Sequence, residues 1–319
     1  LIWKVPEKIG CILNYKWLLL TRLGEALFPY IELKGFERFL HGFGKKIPFH
    51  IFRLLEKIIS SQHGLKKLGL KPSLPIETIA CSTISLATNG FYQAVKEGRL
   101  HVEAGVEVTH LKAGKVFLSN GDVLGADCII CGTGFRQSLP FFNEKIQRRL
   151  IDERGNFRLH RLILPTDIPN LAFNGYNSSL FCPLSAEIGA LWIGAYLTKQ
   201  IAPPNFDECL VQINKRLEWM EKRTNGKHVR GANIVPFSMH YIDELLEDMN
   251  CQISPIIRLG EWIFPINPTN YAGIIQQVIG RSSSKTATKP SKTSAPWLLV
   301  LILPLILWLV SIYVTHRTS

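Results

Sequence analysis

Asp127-Cys-Ile-Ile-Cys-Gly-Thr-Gly-Phe135 is the stretch whose reading decides the fold. After Asp127, Cys128-Ile-Ile-Cys131 is a short apolar run, the pattern of a strand covered on both faces in a parallel sheet. Gly132-Thr133-Gly134 then ends the run, and two of these three residues lack a β-carbon, so backbone there can approach a neighbour closely. At the carboxyl end of a buried strand in an α/β sheet, that neighbour is often a cofactor. A tight structural turn accounts for the glycines equally well. Cys128 and Cys131 make a CxxC pair, but they sit inside the apolar run. A metal or redox pair needs an exposed turn, so the reading here is buried packing.

Working outward, three β-rich segments precede this stretch: Leu100–Ala104, Val106–Leu111 and Lys115–Leu118. Asn120-Gly121 comes after them, and both residues accept the positive φ of a type I′ hairpin turn. Residues 1 to about 95 mix aliphatic and aromatic positions with Lys and Arg in a helical pattern. Downstream, Leu171–Gly175 reads as a strand. Next is a helix over Leu184 to Gln200, with Ile188, Leu191, Trp192 and Ala195 on one face and Pro203-Pro204 beyond its end. Asp207 suits the N-cap of a further helix that aligns Leu210, Ile213, Leu217 and Met220. The loop Gly175-Tyr-Asn-Ser-Ser-Leu-Phe-Cys-Pro183 enters the first of these helices, where free amides and the positive end of the dipole favour negative charge. A plain polar turn is the competing reading of Asn177, Ser178 and Ser179.

Composition narrows the classes. At 46% hydrophobic and 19% charged residues, the 319-residue chain can build a sizeable core. Its net charge of +12 favours anionic partners, but the basic residues are scattered without interleaved aromatics, which argues against nucleic acid. Seven irregularly spaced cysteines argue against a disulfide framework. The chain opens on Leu1 and its first methionine is Met220, which sets the expectation of a fragment. Pro296–Val314 holds no charged residue, and 19 residues at about 1.5 Å each span roughly 28 Å, the reach of a transmembrane helix. The polar stretch 281–295 before it carries Arg281, Lys285, Lys289 and Lys292, against Arg317 beyond. That asymmetry predicts a flexible basic linker, a tail anchor and a cytosolic body.

The deciding stretch resembles the "D-x-I-I-x-A-T-G-Y/F" segment of class B flavoprotein monooxygenases, with Gly132 where that family has Ala or Cys. Gly98-Arg-Leu-His-Val102 and Leu118-Ser-Asn-Gly-Asp122 are similar to the family's approach to that segment. Pro169-Asn-Leu-Ala-Phe-Asn-Gly175, Pro183-Leu-Ser-Ala-Glu187 and Trp192 resemble the family's sequence downstream of it. On these motifs the chain resembles a microsomal flavin-containing monooxygenase. The resemblance is diffuse before residue 90 and densest from 98 to 200. The family's GxGxxG fingerprint, its NADPH-binding glycine loop and its F-x-G-x-x-x-H signature are absent, and the expectation is that they lie upstream.

The resemblance implies an α/β fold, the C-terminal part of a flavoprotein with two dinucleotide-binding domains for FAD and NADPH, plus the transmembrane helix. Residues 1–126 would complete the NADPH-binding domain around a helical insertion, and 127–280 would return to the FAD-binding domain. Residues 281–295 would be the linker and 296–314 an anchor in the endoplasmic reticulum membrane. Gly132, Thr133, Gly134, Phe135, Asn177, Ser179, Pro183 and Leu184 would contact cofactor, with no catalytic side chain and no metal ligand in this stretch. The implied activity is that of the N,N-dimethylaniline monooxygenase type. NADPH reduces FAD, O2 adds to form a C4a-hydroperoxyflavin, and a soft nitrogen or sulfur of a small molecule is oxygenated. A Baeyer–Villiger monooxygenase and a non-catalytic membrane-tethered scaffold are the competing readings.

Overall fold

The computed structural model describes residues 2–81, 85–133, 139–226 and 234–283. Three two-residue strands open the chain: β1 (Lys4–Val5), β2 (Lys8–Ile9) and β3 (Leu13–Asn14). The helices α1 (Lys16–Leu19), α2 (Arg22–Ala26), α3 (Gly35–His41) and α4 (Lys46–His63) come next, then β4 (Ser85–Leu86) and α5 (Phe91–Lys96). The expected helical character of this region is therefore present. α4 shows how it is built. Pro48, Phe52, Leu55 and Ile59 recur every three or four residues and are buried, so one face of the helix seals the core. The helix stops at Gly64, whose φ of 63° is left-handed and lets its amide bond back to the last turn. The buried stripe packs with Trp3, Val5, Ile9, Phe28 and Tyr92 into the N-terminal core.

A three-stranded antiparallel sheet comes next, β5 (Val108–Lys112), β6 (Lys115–Leu118) and β7 (Val123–Gly125) in that spatial order. Then come α6 (Glu144–Leu150), the paired strands β8 (Leu159–His160) and β9 (Leu164–Pro165), and the helices α7 (Cys182–Leu197), α8 (Phe206–Thr224), α9 (Ser238–Asp248), α10 (Pro255–Gly260) and α11 (Ile274–Ser283). The second core is built on α7 and α9. Leu184, Ile188, Trp192 and Ala195 of α7 interlock with Met239, Tyr241, Ile242 and Leu245 of α9. Trp192 is 1% exposed, and truncating a side chain so enclosed costs about 3–5 kcal/mol. Gly189 allows a close approach on the same helix, since a β-carbon there would meet Asn174 Oδ1 at 2.9 Å.

Several expectations are corrected by the structure. Asp127–Cys131 is not a strand. Ile129 and Ile130 are exposed, Ile130 by 90%, and so are Cys128 and Cys131. The physical reason is that a strand exists by pairing. Among the described residues no backbone hydrogen bond reaches positions 127–133, so the apolar run has neither ladder nor cover. Leu100–Ala104 and Leu171–Gly175 are likewise irregular. The β6–β7 hairpin forms, but its turn differs. Of Asn120 and Gly121 only Gly121 takes positive φ, 92°, and the Leu118 amide donates to the Asp122 carbonyl at 2.9 Å, leaving a three-residue loop with glycine at its left-handed position. The N-cap of α8 is Asn205, two residues before the expected Asp207, and its side chain accepts from the Glu208 amide at 2.9 Å.

The sheets are small and separate. β1 and β4 form the parallel pair among the described residues, and no doubly wound sheet is assembled there. The expected membrane helix at 296–314 lies outside the described residues. Among those described, no helix is long and apolar enough to cross a membrane. Even α8, with 19 residues, carries charged side chains along its length. The expected transmembrane helix and tail-anchored placement are thus not borne out among the described residues, whose fold is mixed α/β.

Candidate functional site

The loop from Gly175 to Phe181 and the start of α7 bring four of the expected site residues together. Gly175 turns the chain with φ 70°, and a β-carbon on it would meet Ala186 Cβ at 3.5 Å, so the loop lies against the first turn of the helix. Pro183 occupies that first turn, where its missing N–H leaves no helical bond unmade. Leu184 is buried in the α7–α9 core, and Pro183 beside it is exposed. The Ser179 amide donates to Cys182 Sγ at 3.2 Å, and the Ser179 and Ser185 hydroxyls lie 3.2 Å apart. No side chain caps α7.

Asn177 is the most informative residue of the loop. Its side-chain Oδ1 is buried with no hydrogen-bond partner. Burial pushes the Tyr241 hydroxyl well above its usual range, so it stays protonated and donates to the Arg161 carbonyl at 2.9 Å. An acceptor left buried and unpaired costs about 1–3 kcal/mol, so its position asks for a donor.

The other expected site residues are not brought to this loop. Gly132 and Thr133 are exposed in an irregular segment, and a β-carbon on Gly132 would meet nothing within 4 Å. Gly134 and Phe135 lie outside the described residues. Among the described residues no cluster of three or more His, Cys, Asp or Glu side chains could hold a metal ion.

Sequence reasoning did not find the elements that hold the loop. Two ties fix it to α9 and the residues just before it. Ser178 O accepts from the Ile234 amide at 3.0 Å, and the Leu180 amide donates to Ser238 Oγ at 3.1 Å. The start of α9 is in turn capped from α2. Glu25 accepts from the Met239 amide at 3.1 Å and the His240 amide at 3.0 Å, satisfying orphan donors of the first turn. The His240 ring bridges Glu25 at 2.8 Å and Glu37 at 2.7 Å. Burial lowers the affinity of that ring for a proton, but the two carboxylates outweigh it and raise its pKa to about 10, so it is an imidazolium donating both N–H groups. No spacing rule could show this, because Glu25 and His240 are 215 positions apart.

FAD is the group that the sequence resemblance implies, and Asn177 is where its fit can be judged. A flavin ring carries an N–H between two carbonyl groups. The unpaired Asn177 Oδ1 suits such a donor, and the first turn of α7 suits the electron-rich edge beside it. The loop therefore fits the group, while the exposed Gly132-Thr133 segment shows no cradle of its own.

No protein-family profile matches the chain. Individual relatives do. Flavin-containing monooxygenase FMO GS-OX3 of Arabidopsis thaliana is 29% identical over 122 residues, 38% of this chain and 26% of the relative. FMO GS-OX1 of the same plant is 24% identical over 170 residues, 51% of this chain and 34% of the relative. A FAD-dependent monooxygenase of Pyrenophora dematioidea is 23% identical over 252 residues, 61% and 45% of the two chains. The solved S-allyl-L-cysteine S-oxygenase of Allium sativum superimposes with a TM-score of 0.40 at 20% identity, over 58% of this chain and 42% of that one, too loosely to carry geometry across. By the curated relatives the chain is similar to flavoprotein monooxygenases. Within that class the resemblance to the flavin-containing monooxygenases is borne out by the curated relatives. The chain spans between 26% and 45% of the length of the curated relatives it matches.

Proposed function

We propose that this chain is part of an FAD- and NADPH-dependent monooxygenase that oxygenates soft nitrogen or sulfur nucleophiles in small molecules. The observation that carries the reading is the agreement among six curated relatives, every one of them named a flavin-containing or FAD-dependent monooxygenase. When bound, the flavin supplies the redox and oxygen-transfer chemistry, and the protein supplies binding, orientation and exclusion of water. In this chain the holding residues would be Asn177 and Ser179 of the loop with Pro183 and Leu184 of α7. Gly132, Thr133, Gly134 and Phe135 are the further cofactor contacts that the sequence resemblance implies. Asn177 Oδ1 would accept a ring N–H, and the uncapped start of α7 would face the electron-rich edge. Gly132 and Thr133 stand exposed, so the contacts of the loop alone do not balance the ordering cost of a large cofactor. The 319-residue chain by itself is expected to retain no stoichiometric FAD.

The test is made on the full-length natural protein that carries this chain. It should purify with visible flavin absorbance and consume NADPH and O2 faster when a tertiary amine or thioether is added. A flavin-free protein, or one whose NADPH oxidation ignores such nucleophiles and responds only to ketones, would overturn the reading.

A further inference from the structure

The exposure of Cys128 and Cys131 removes the ground for taking their CxxC spacing as buried packing. Both cysteines are free and exposed. Between them Ile129 is half exposed and Ile130 is 90% exposed, so the segment packs against little. Among the described residues no backbone hydrogen bond reaches 127–133, and a β-carbon on Gly132 would meet nothing within 4 Å. The chain can therefore bend between its two cysteines without breaking a ladder bond or emptying a packed site.

Three positions is the separation that a β-turn spans, and a turn brings its first and last Cα atoms within about 7 Å. A disulfide needs Cα atoms about 4.4–6.8 Å apart, so one turn over 128–131 places the two sulfurs in bonding range. A structural zinc asks for four ligands, and among the described residues no group of three or more His, Cys, Asp or Glu side chains could hold a metal. Dithiol chemistry is what the pair retains. Cys11 and Cys182 are exposed as well, but no second cysteine lies within three positions of either.

We propose that Cys128 and Cys131 are a reversible dithiol–disulfide pair, oxidised by exchange with a low-molecular-weight disulfide. One thiolate attacks a sulfur of the small disulfide, whose S–S bond breaks, and one small thiol leaves as a mixed disulfide forms. The second thiolate then attacks the protein sulfur of that mixed disulfide and expels the other small thiol. The protein loses two electrons and two protons, and the small disulfide takes them up as two thiols. The pairing does not depend on the flavin reading, since it uses no group of the cofactor.

The full-length natural protein that carries this chain is the material for the test, with glutathione disulfide as the probe under non-denaturing conditions. After acid quenching and alkylation, the peptide holding Cys128 and Cys131 should be recovered lighter by two hydrogens and should resist alkylation until dithiothreitol is added. In Cys128→Ser the remaining Cys131 should stop at the mixed disulfide with glutathione, and Cys131→Ser should trap Cys128 in the same way. Loss of glutathione from that mixed disulfide should be at least about tenfold slower in either variant than in wild type, because a tethered second thiol acts at high effective concentration. Cys11 in the same digest is the reference for an exposed cysteine that stops at the mixed disulfide. The proposal is overturned if both cysteines stay reduced, if both carry glutathione at once, or if either pairs with a cysteine elsewhere. Serine in place of an exposed cysteine leaves the cores untouched, and the wild-type digest decides the matter by itself should a variant fold poorly.

Discussion

On α9, His240, Asp243, Glu244 and Asp248 each meet charged partners from elsewhere in the chain, whereas residues 100–133 expose Val108, Leu111, Val123, Leu124 and Ile130 to solvent. By composition alone the second region should be the core and the first the surface. Arg22 reaches α9 from α2, bonding Asp243 at 2.6 Å and, through Nε, Glu261 at 2.9 Å. Tyr271 lies at 3.2 Å from the same guanidinium. Arg216 of α8 pairs with Glu244, which also accepts from the Tyr30 hydroxyl at 2.7 Å, and Arg161 takes Asp248. A charge can be buried where a partner and hydrogen bonds replace its water. An isoleucine is buried only where another surface covers it. The difference teaches that partnership, not polarity, decides what lies inside this chain.

The largest expected effect comes from breaking the α9 network. Arg22→Ala leaves Glu261, 3% exposed, without its cation, and removal of one member of such a buried set costs about 3–5 kcal/mol. Urea denaturation of wild type and variant measures it. A loss under about 1 kcal/mol would mean that the ionic links are replaceable and would dissolve the contrast.

A pH series sharpens the same comparison. His240 holds its proton up to about pH 10 when folded, above its ordinary value near 6.5, so its stabilisation is complete below about 6.5 and is lost as pH rises toward 10. His160 behaves oppositely. Burial, helped by the Arg161 charge, depresses its pKa to about 4, so its contribution is present above about 6.5 and is lost as pH falls toward 4. Urea midpoints between pH 4 and 10 should decline on both sides, and His240→Gln should remove the alkaline part of the decline. An unchanged alkaline limb in that variant would show that the imidazolium bridge does not contribute.

The smallest effect belongs to the exposed region. Ile130→Ser in the 319-residue chain should change stability by no more than about 0.5 kcal/mol, as for other exposed positions away from special features. Destabilisation above about 1 kcal/mol would show that residues 127–131 are covered in solution and that the two regions differ less than described.

Where the sequence carried its own local physics, the fold was legible. The α7 face of Ile188, Trp192 and Ala195 follows from the helical period, and Lys115–Leu118 follows from β-forming residues beside a glycine turn. The cap of α8 was placed two residues late because Asn205 and Asp207 both qualify chemically, and only the backbone chooses between them. The β8–β9 turn left no signal. Arg161 and Leu162 take left-handed φ of 53° and 56°, positions that favour glycine, and the ion pairs of Arg161 with Glu244 and Asp248 accompany that conformation. Of the candidate site, the loop at 177–184 was visible through its polar residues and the proline that opens a helix. Its supports were not.

The sequence by itself determined the relationship to flavin-containing monooxygenases and the period of the main helices, because both reside in neighbouring residues read along the chain. Only the tertiary structure decided that Asp127–Cys131 lies open, that Asn177 keeps a buried acceptor unpaired, and that Glu25 and Glu37 clasp His240. Burial, and the proton affinities that depend on it, are set by atoms that arrive from hundreds of positions away, and no local pattern records which ones will come.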